Sequence, residues 1–221
     1  MSDDDAGHGA NREAERERLM LAALPHVAFD GWTRTALTAG ARDAGLDGIE
    51  AARLFPGGGS ELIRAFAGWA DARMAERMAA SDLAALRTHD RIRLAVRARI
   101  EAVAPYREAV RRGLAHFALP GNAPSGLKML HRTVDTMWYA AGDRTADFGF
   151  YTKRALLAGV YSTTLLHWLD DASEDNEATW AFLDRRIDDV LRVHRLRGRI
   201  ERVAGALPDP FRLFTSFAPR R

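Results

Sequence analysis

Residues 148–169 form the longest apolar stretch of the sequence, FGFYTKRALLAGVYSTTLLHWL. The only full charges in this stretch are those of Lys153 and Arg154. A helix made from these residues is apolar on nearly every side, so other helices have to enclose it. The stretch therefore predicts a central helix in a helical domain, and the other segments have to supply its neighbours.

The rest of the chain also has the pattern of a helical protein. Apolar residues recur at intervals of three and four, and proline and glycine fall at intervals typical of helix lengths. The 221 residues are enough for one substantial domain with its own core. We predict an all-α fold with a disordered tail at 1–12, a head at 13–58, a body at 59–194 and an amphipathic C-terminal segment at 195–221.

The head has the layout of a helix-turn-helix, with two short helices on either side of a tight turn at 45–48 and a long helix after Ser60. This layout makes a ligand-responsive transcriptional repressor one alternative. The segment in the position of a recognition helix, 47–55, reads DGIEAARLF, with one arginine against two acids. It has no Asn, Gln, Lys or Tyr to read a base edge, so we expect no nucleic-acid binding.

No catalytic centre is evident in the sequence. Phosphate-binding glycine loops and a serine nucleophile elbow are missing, and no Glu-x-x-His repeat exists for a carboxylate di-iron site. His131 with Asp135, and His167 with Asp170 and Asp171, could each begin a metal site, which leaves a metal-dependent enzyme as a weaker alternative. We predict that the protein is not an enzyme and that it needs neither a metal nor a cofactor.

The sequence also bears on location. It contains no cysteine, a pattern that suits a reducing compartment, and its first residues lack the apolar core of a secretory signal. No segment approaches the roughly 20 uninterrupted apolar residues of a membrane-spanning helix. We expect a cytoplasmic protein whose membrane contact is peripheral, on the inner membrane.

Two features allow for a lipid ligand. The predicted core is rich in tryptophan, tyrosine and methionine, which suit a pocket for a long apolar ligand but would equally fill a closed core. The chain ends with Phe211, Phe214 and Phe217 between basic residues. This tail either seats its aromatic rings at the membrane surface or packs as a strap on the body.

Six motifs in order along the chain resemble the accessory family of coenzyme Q biosynthesis that is ninth in the Coq series. They are GWT at 31–33, GSELI at 59–63, LPxNxPS at 119–125, DxMWxxAGD at 135–143, DFxFYTKRA at 147–155 and TWxFLxxR at 179–186. Within the fifth motif, Phe150 stands where the family typically has tryptophan.

The resemblance implies a TetR-like fold and a non-enzymatic protein that binds an isoprenoid quinone intermediate or a phospholipid. Family members present the intermediate to the membrane-associated di-iron hydroxylase of ubiquinone biosynthesis, and such folds often form homodimers. On this basis we predict that the lipid-binding pocket is lined by Trp69, Met137, Trp138, Tyr151, Tyr161 and Leu165. The hydroxylase is predicted to dock on Trp180, Leu183 and Arg186, and the membrane to contact Phe211, Phe214 and Phe217.

Overall fold

The computed structural model describes the backbone of residues 3–142 and 150–206 and the side chains of residues 11–142 and 152–192. The described ranges consist of helices and the turns that connect them and contain no strand, which confirms the predicted all-α class. The helices are α1 (Asp3–Asp30), α2 (Arg34–Asp43), α3 (Gly48–Leu54), α4 (Gly59–Ala79), α5 (Thr88–Val103), α6 (Arg107–Ala118), α7 (Ala123–Ala140), α8 (Phe150–Asp170) and α9 (Glu177–Ala206). Short 3-10 helices precede α6 at Ala104–Tyr106 and α9 at Glu174–Asn176.

The first helix is longer than the sequence indicates. α1 begins at Asp3, whereas the predicted tail extends over 1–12 and the predicted head begins at residue 13. The description of 1–12 as a disordered tail therefore does not hold from Asp3 onward.

Local side-chain contacts fix the ends of the two short helices in the head. The Thr33 hydroxyl oxygen accepts from the backbone N–H of Ala36 at 3.3 Å and begins α2. Asp47 accepts from the N–H groups of Ile49 and Glu50, and the Glu50 carboxylate accepts from the N–H of Asp47, each at 2.8 Å. This reciprocal capping box begins α3 and confirms the predicted helix-turn-helix layout.

The head joins the body by close backbone contact. A Cβ atom on Gly59, at the start of α4, would lie 2.0 Å from the carbonyl oxygen of Trp32, so only glycine fits there. The Trp32 indole in turn donates to the carbonyl oxygen of Ala109 on α6 at 3.1 Å. These contacts set the position of the head relative to α4 and α6.

The central helix of the body is α8, and it is less enclosed than its sequence predicts. Leu157, Trp168 and Leu169 on one face are buried against the other helices. On the opposite face Leu156 is 38% exposed and Leu166 is 55% exposed. The prediction that other helices enclose α8 on every side is therefore wrong for the described part of the chain, where no helix packs on this outer face.

Candidate functional site

The body contains an apolar groove of about 370 Å3 between α5, α7, α8 and α9. Residues at helical spacing on the four helices form its walls, which are therefore assembled from distant parts of the chain. Ile92 and Leu157 are buried at the wall, whereas Leu156 is partly exposed. The lining residues are Thr88, His89, Ile92, Trp138, Lys153, Leu156, Leu157, Val160, Ile187, Val190 and Leu191.

The groove combines aliphatic walls with a few polar groups. The polar residues of its lining are Thr88, His89 and Lys153. The Trp138 Nε1 atom is buried and has no hydrogen-bond partner among the described residues, while its ring belongs to the groove wall. Apolar walls with few polar groups are typical of sites for amphipathic ligands, because the walls supply affinity and the polar groups set orientation.

A second cavity, of about 130 Å3, lies between α4, α5, α6, α7 and α8 and is lined by other residues. Its walls are mainly apolar and aromatic, and Phe66, Tyr161 and Leu165 are among them. Arg99 and Thr133 also line it. The residues that line this cavity share no member with those of the groove.

A buried ion pair forms the polar side of the second cavity. The Arg99 guanidinium donates to Asp71 at 2.7 Å, and the two side chains are only 6% and 7% exposed. Thr133 donates to the same carboxylate at 3.0 Å, and Arg99 also donates to the carbonyl oxygen of Ala67 at 3.3 Å. Because each charge has a partner, the pair is tolerated inside the core.

The structure separates the residues that were predicted to line one lipid pocket. Trp138 lines the groove, whereas Tyr161 and Leu165 line the second cavity. Met137 is fully buried in the core. Trp69 is only partly buried, and its indole donates to Glu17 at 2.9 Å beside a separate polar groove between α1 and α4. The side chain of Tyr151 lies outside the described residues.

Most residues of the groove were not predicted from the sequence. The predicted pocket residues were mainly aromatic, whereas the walls consist largely of aliphatic residues such as Leu157, Val160 and Ile187. A signal was present in α8 and α9, where apolar residues recur at three and four. No local pattern says, however, which of these helical faces meet across a shared space.

The connection between α8 and α9 is held by the Asp171 carboxylate. It accepts from the backbone N–H and hydroxyl of Ser173 at 2.8 and 2.6 Å. It also accepts from the backbone N–H and hydroxyl of Thr179 at 2.9 and 2.5 Å. Burial alone would raise the pKa of Asp171, but these four hydrogen bonds lower it well below its usual range.

The same connection has an unusual backbone that Arg107 supports. Asp175 and Asn176 adopt φ values of 49° and 57°, which place them in the left-handed region that few residues other than glycine enter. Arg107 donates to the carbonyl oxygen of Asp171 and to the Asn176 side chain, both at 2.6 Å. Its guanidinium also lies 4.6 Å from the centre of the Trp168 ring. The loop is thus fixed from both ends.

Asp171→Asn is expected to lower the free energy of unfolding by about 1–3 kcal/mol at pH 7, because charge-assisted hydrogen bonds are replaced by neutral ones. A carboxylate with a lowered pKa stabilises the fold above its ordinary pKa of about 3.9, and this stabilisation is lost as the pH falls toward the folded-state pKa. Urea unfolding at pH 7 and pH 3 measures both effects. Asp170→Asn is the matched control, since the Asp170 side chain is 80% exposed; equal effects of both substitutions would contradict the assignment.

The predicted docking residues differ in exposure. Trp180 is partly buried, with its indole donating to the carbonyl oxygen of Asp175 at 2.8 Å and Arg97 lying 4.7 Å from its ring centre. Leu183 is 1% exposed and belongs to the core, so it is not part of an accessible surface. Arg186 is exposed and pairs with Asp189 at 2.8 Å.

Phe182, which the predicted docking set does not include, follows Trp180 by two residues and therefore lies on a different side of α9. Its ring stacks on His167 at 4.6 Å, and the Arg186 guanidinium lies 5.3 Å from its centre. The start of α9 thus carries Trp180 on the side of α5, and Phe182 with Arg186 on the side of α8. We call Trp180, Phe182 and Arg186 the α9 surface.

The described residues show no further chemical site. No group of three or more metal-binding side chains occurs among them. No described helix combines the length and the apolar character needed to cross a bilayer. Phe211, Phe214 and Phe217, the predicted membrane contacts, lie outside the described residues.

Comparison with known proteins agrees with the motifs. A sequence model of the COQ9 family matches residues 123–194, which include α7, α8 and the α9 surface. The chain is 38% identical over 204 residues to the ubiquinone biosynthesis protein COQ9, mitochondrial, of Rattus norvegicus. It is 36% identical over 204 residues to the protein of the same name from Homo sapiens. The predicted resemblance to the COQ9 family is confirmed.

The alignments with these COQ9 proteins cover 89% of this chain, but the chain spans 65% of the rat protein and 64% of the human one. Among solved structures, the chain is similar to a TetR transcriptional regulator from Nitrosomonas europaea, with a TM-score of 0.65 and 23% identity. That match covers 78% of this chain and 95% of the regulator. It confirms the TetR-like fold and carries no information about function.

Proposed function

We propose that this protein takes part in ubiquinone biosynthesis as a lipid-binding accessory protein and that it binds a polyprenyl quinone intermediate in the groove. The observation that carries the proposal is the groove itself, with aliphatic walls, a tryptophan and polar groups from Thr88, His89 and Lys153. Similarity to proteins named for ubiquinone biosynthesis supports the choice of a quinone over other lipids. The protein contributes binding and positioning, and the chemistry belongs to its partner.

Burial of the isoprenoid tail is the energetic reason for such a protein. Each buried methylene-sized unit contributes about 0.8 kcal/mol, so enclosing ten of them offsets about 8 kcal/mol of the cost of leaving the bilayer. A groove of about 370 Å3 holds part of such a tail while the rest stays in the membrane. A partly open wall at Leu156 suits a ligand that has to enter from the side and leave again.

Binding of a short-chain ubiquinone with two isoprenoid units tests the proposal. We expect the quinone to quench tryptophan fluorescence because Trp138 lies in the groove wall. The same ring without a tail is expected to bind at least about tenfold more weakly, since the tail supplies the buried apolar area. Equal affinity for the two compounds would rule out the groove as a tail-binding site.

The α9 surface is the proposed contact with the membrane-associated di-iron hydroxylase of the pathway. Aromatic residues and arginine are common anchors of protein interfaces, and here both occur together at the start of α9. The fixed α8–α9 connection supports this role, because a preorganised surface loses less entropy on binding. Leu183 is left out of this surface because it is buried.

Trp180→Lys is expected to leave the protein folded and to abolish capture of the hydroxylase. The substitution removes one of the two aromatic rings of the α9 surface, while Leu183 in the core is unchanged. Circular dichroism reports folding, and co-purification with the hydroxylase reports docking. Trp180→Phe is the control, because it keeps a ring and loses only the hydrogen bond to Asp175. Unfolding of Trp180→Lys would assign Trp180 to the core and remove it from the interface.

A second copy of the chain is the proposed neighbour of the open face of α8. This face carries no charge between Thr152 and Leu166 and contains Ala155, Gly159 and Thr163. Small and apolar residues on one face let two helices approach closely, and two-fold dimers are the commonest oligomers. We therefore propose a homodimer through α8.

Gly159→Arg is expected to convert the dimer into a monomer without unfolding it. A Cβ atom added at Gly159 meets no described atom within 4 Å outside its own stretch of helix, so the fold has room for a side chain there, whereas a facing helix would not. Sedimentation velocity of the purified protein measures the change. Gly121→Arg is the control, since a Cβ atom there also has nothing within 4 Å. A monomeric state of the unsubstituted protein would contradict the proposal.

The C-terminal segment 195–221 is the proposed membrane contact, with Phe211, Phe214 and Phe217 at the headgroup level. Its basic residues complement anionic lipids, and its phenylalanines contribute apolar burial. The proposed location is peripheral, on an inner membrane. Co-flotation with anionic liposomes, compared between the full chain and a chain ending at residue 194, tests the contact.

A TetR-type repressor is the alternative that the fold raises. The described head argues against it, because Glu50 in α3 is engaged in the capping box and the helix presents one arginine. Gel-shift experiments with genomic fragments at low salt separate the two functions. Sequence-selective binding would favour the repressor over the lipid-binding protein.

A further inference from the structure

The polar groove between α1 and α4 is lined mainly by charged side chains, and the proposed function does not use it. It has a volume of about 830 Å3 and includes one residue of α7. Five arginines outnumber three glutamates in its lining, which leaves two positive charges in excess. These residues are Arg12, Arg16, Arg64, Arg73, Arg132, Glu13, Glu17 and Glu61. We call this space the arginine groove.

The three glutamates of the arginine groove are engaged with groups of the protein. Glu61 pairs with Arg16 at 3.1 Å, and Glu13 lies 3.9 Å from the same guanidinium. Glu17 accepts from the Trp69 indole at 2.9 Å. Burial raises the pKa of Glu61, but the hydrogen bonds that it accepts and the charges of nearby arginines lower the pKa below its usual range, so this carboxylate stays charged. These contacts leave other arginines of the lining without a carboxylate.

Two arginines of the groove have no such contact. Arg64 on α4 and Arg132 on α7 are exposed, and neither guanidinium forms an ion pair or a hydrogen bond with another described residue. Arginine stays charged at every physiological pH and presents its N–H donors in a fixed fork that matches a carboxylate. Both side chains are therefore available to an anionic ligand.

The two unpaired guanidinium groups lie at different levels of α4. The Arg64 Nη2 atom is 3.6 Å from the position of a Cβ on Gly57, just before the helix begins. The Arg132 Nη2 atom is 3.9 Å from the position of a Cβ on Gly68, in the middle of the helix. At about 1.5 Å per residue these levels are roughly 15 Å apart, so the two groups are separated by on the order of 10 Å. A ligand that contacts both has to be elongated.

The part of α4 that faces the arginine groove is mostly small and apolar. It contributes Ala65, Gly68 and Ala72 together with the Trp69 ring. Sites for small molecules have volumes of roughly 300–1,000 Å3, so the groove of about 830 Å3 can take such a molecule whole. A hydrocarbon chain suits the surface of α4, and an anionic group at each end suits the two arginines.

We propose that the arginine groove is a binding site for a small dicarboxylate, with Arg64 holding one carboxylate, Arg132 holding the other and the hydrocarbon chain lying along α4. A dicarboxylate brings two negative charges, which equal the excess positive charge of the lining. Each carboxylate also matches one guanidinium fork. The site shares no lining residue with the groove between α5, α7, α8 and α9, so it does not depend on lipid binding there.

Suberate and its monomethyl ester test the proposal with molecules that have the same carbon chain between their two ends. The ester keeps one carboxylate and has lost the charge of the other. Titration calorimetry with the full chain gives both affinities, and we expect suberate to bind at least about tenfold more tightly. Arg64→Gln and Arg132→Gln should each remove most of this preference, because each substitution takes away the partner of one carboxylate.

Arg87→Gln is the matched control for these substitutions. It removes the same positive charge at a position outside the arginine groove, where the Arg87 side chain is 76% exposed. This variant should keep the preference for suberate, since the general effect of the lost charge is screened over distance. Arg64→Gln and Arg132→Gln should melt at the temperature of the original protein, because neither side chain has a contact to lose.

Four results would overturn the proposal. One is the failure of suberate to bind, and another is equal affinity for suberate and its monomethyl ester. The third is a preference that stays unchanged in Arg64→Gln and Arg132→Gln or falls equally in Arg87→Gln. The last is a lower melting temperature of Arg64→Gln or Arg132→Gln than of Arg87→Gln, which would show that the guanidinium has a partner in the ligand-free protein.

Discussion

Asp71→Ala is expected to lower the free energy of unfolding by about 3–5 kcal/mol, because it leaves the Arg99 charge buried without its counter-ion. Arg99 is 5% exposed, so water cannot replace the lost carboxylate without opening the core. The Thr133 hydroxyl loses its acceptor in the same step. Urea unfolding followed by circular dichroism measures the change.

Two controls isolate the cause. Asp71→Ala combined with Arg99→Met removes both charges, and its stability should recover in large part because no unpaired charge remains. Asp184→Ala removes one of the two carboxylate partners of Arg93, in a pair at 2.5 Å whose aspartate is 54% exposed, and it should cost under about 1 kcal/mol. A cost for Asp71→Ala as small as that for Asp184→Ala would contradict the description of a buried pair.

Leu156→Glu is expected to weaken binding of an isoprenoid quinone by about tenfold to a hundredfold, with the fold intact. The substitution places a carboxylate in the wall of the groove, where a bound tail would have to desolvate it. The side chain is 38% exposed in the free protein, so the unliganded chain tolerates the charge. Fluorescence titration with the two-unit ubiquinone gives the affinity.

The control for this substitution is Leu127→Glu. Leu127 is an exposed leucine on α7 that does not line the groove, and its exposed fraction is 67%. Both variants add the same charge to the surface, so any general effect on binding to a negatively charged protein is common to them. Similar affinities of the two variants would show that the groove is not the lipid site.

The helical architecture could be predicted because its signals are local. The Thr33 cap, the Asp47 and Glu50 box and the proline at the start of α7 act within a few residues of each helix end. The start of α5 at Thr88 depends on the surrounding structure, because the segment between α4 and α5 packs Leu83 against the core.

The candidate sites could be predicted only in part, because they depend on which helical faces meet. Trp138 and Tyr161 both carry the expected mixture of an apolar ring and one polar atom, yet they line different spaces. Met137 belongs to the same apolar stripe of α7 as Trp138, but it is fully buried in the core. Helical periodicity marks an inner face without distinguishing a filled core from the wall of a cavity.

The open face of α8 is a second case in which the sequence pattern does not predict which residues are buried. Its uncharged sequence predicted burial, and within one chain the face is exposed at Leu156 and Leu166. A ligand at Leu156 and a second copy of the chain along the rest of the face would both remove apolar surface from water. The sequence predicts that the face is buried, and the arrangement of the helices shows which residues a ligand or a second copy has to bury.

Mass spectrometry of organic extracts of the purified protein tests the lipid-binding account most directly. We expect a polyprenyl quinone intermediate or another isoprenoid lipid to co-purify with the original protein. The amount of this lipid should fall at least about tenfold in Leu156→Glu but not in Leu127→Glu. An extract free of isoprenoid lipid, or one whose lipid content is the same in both variants, would contradict it.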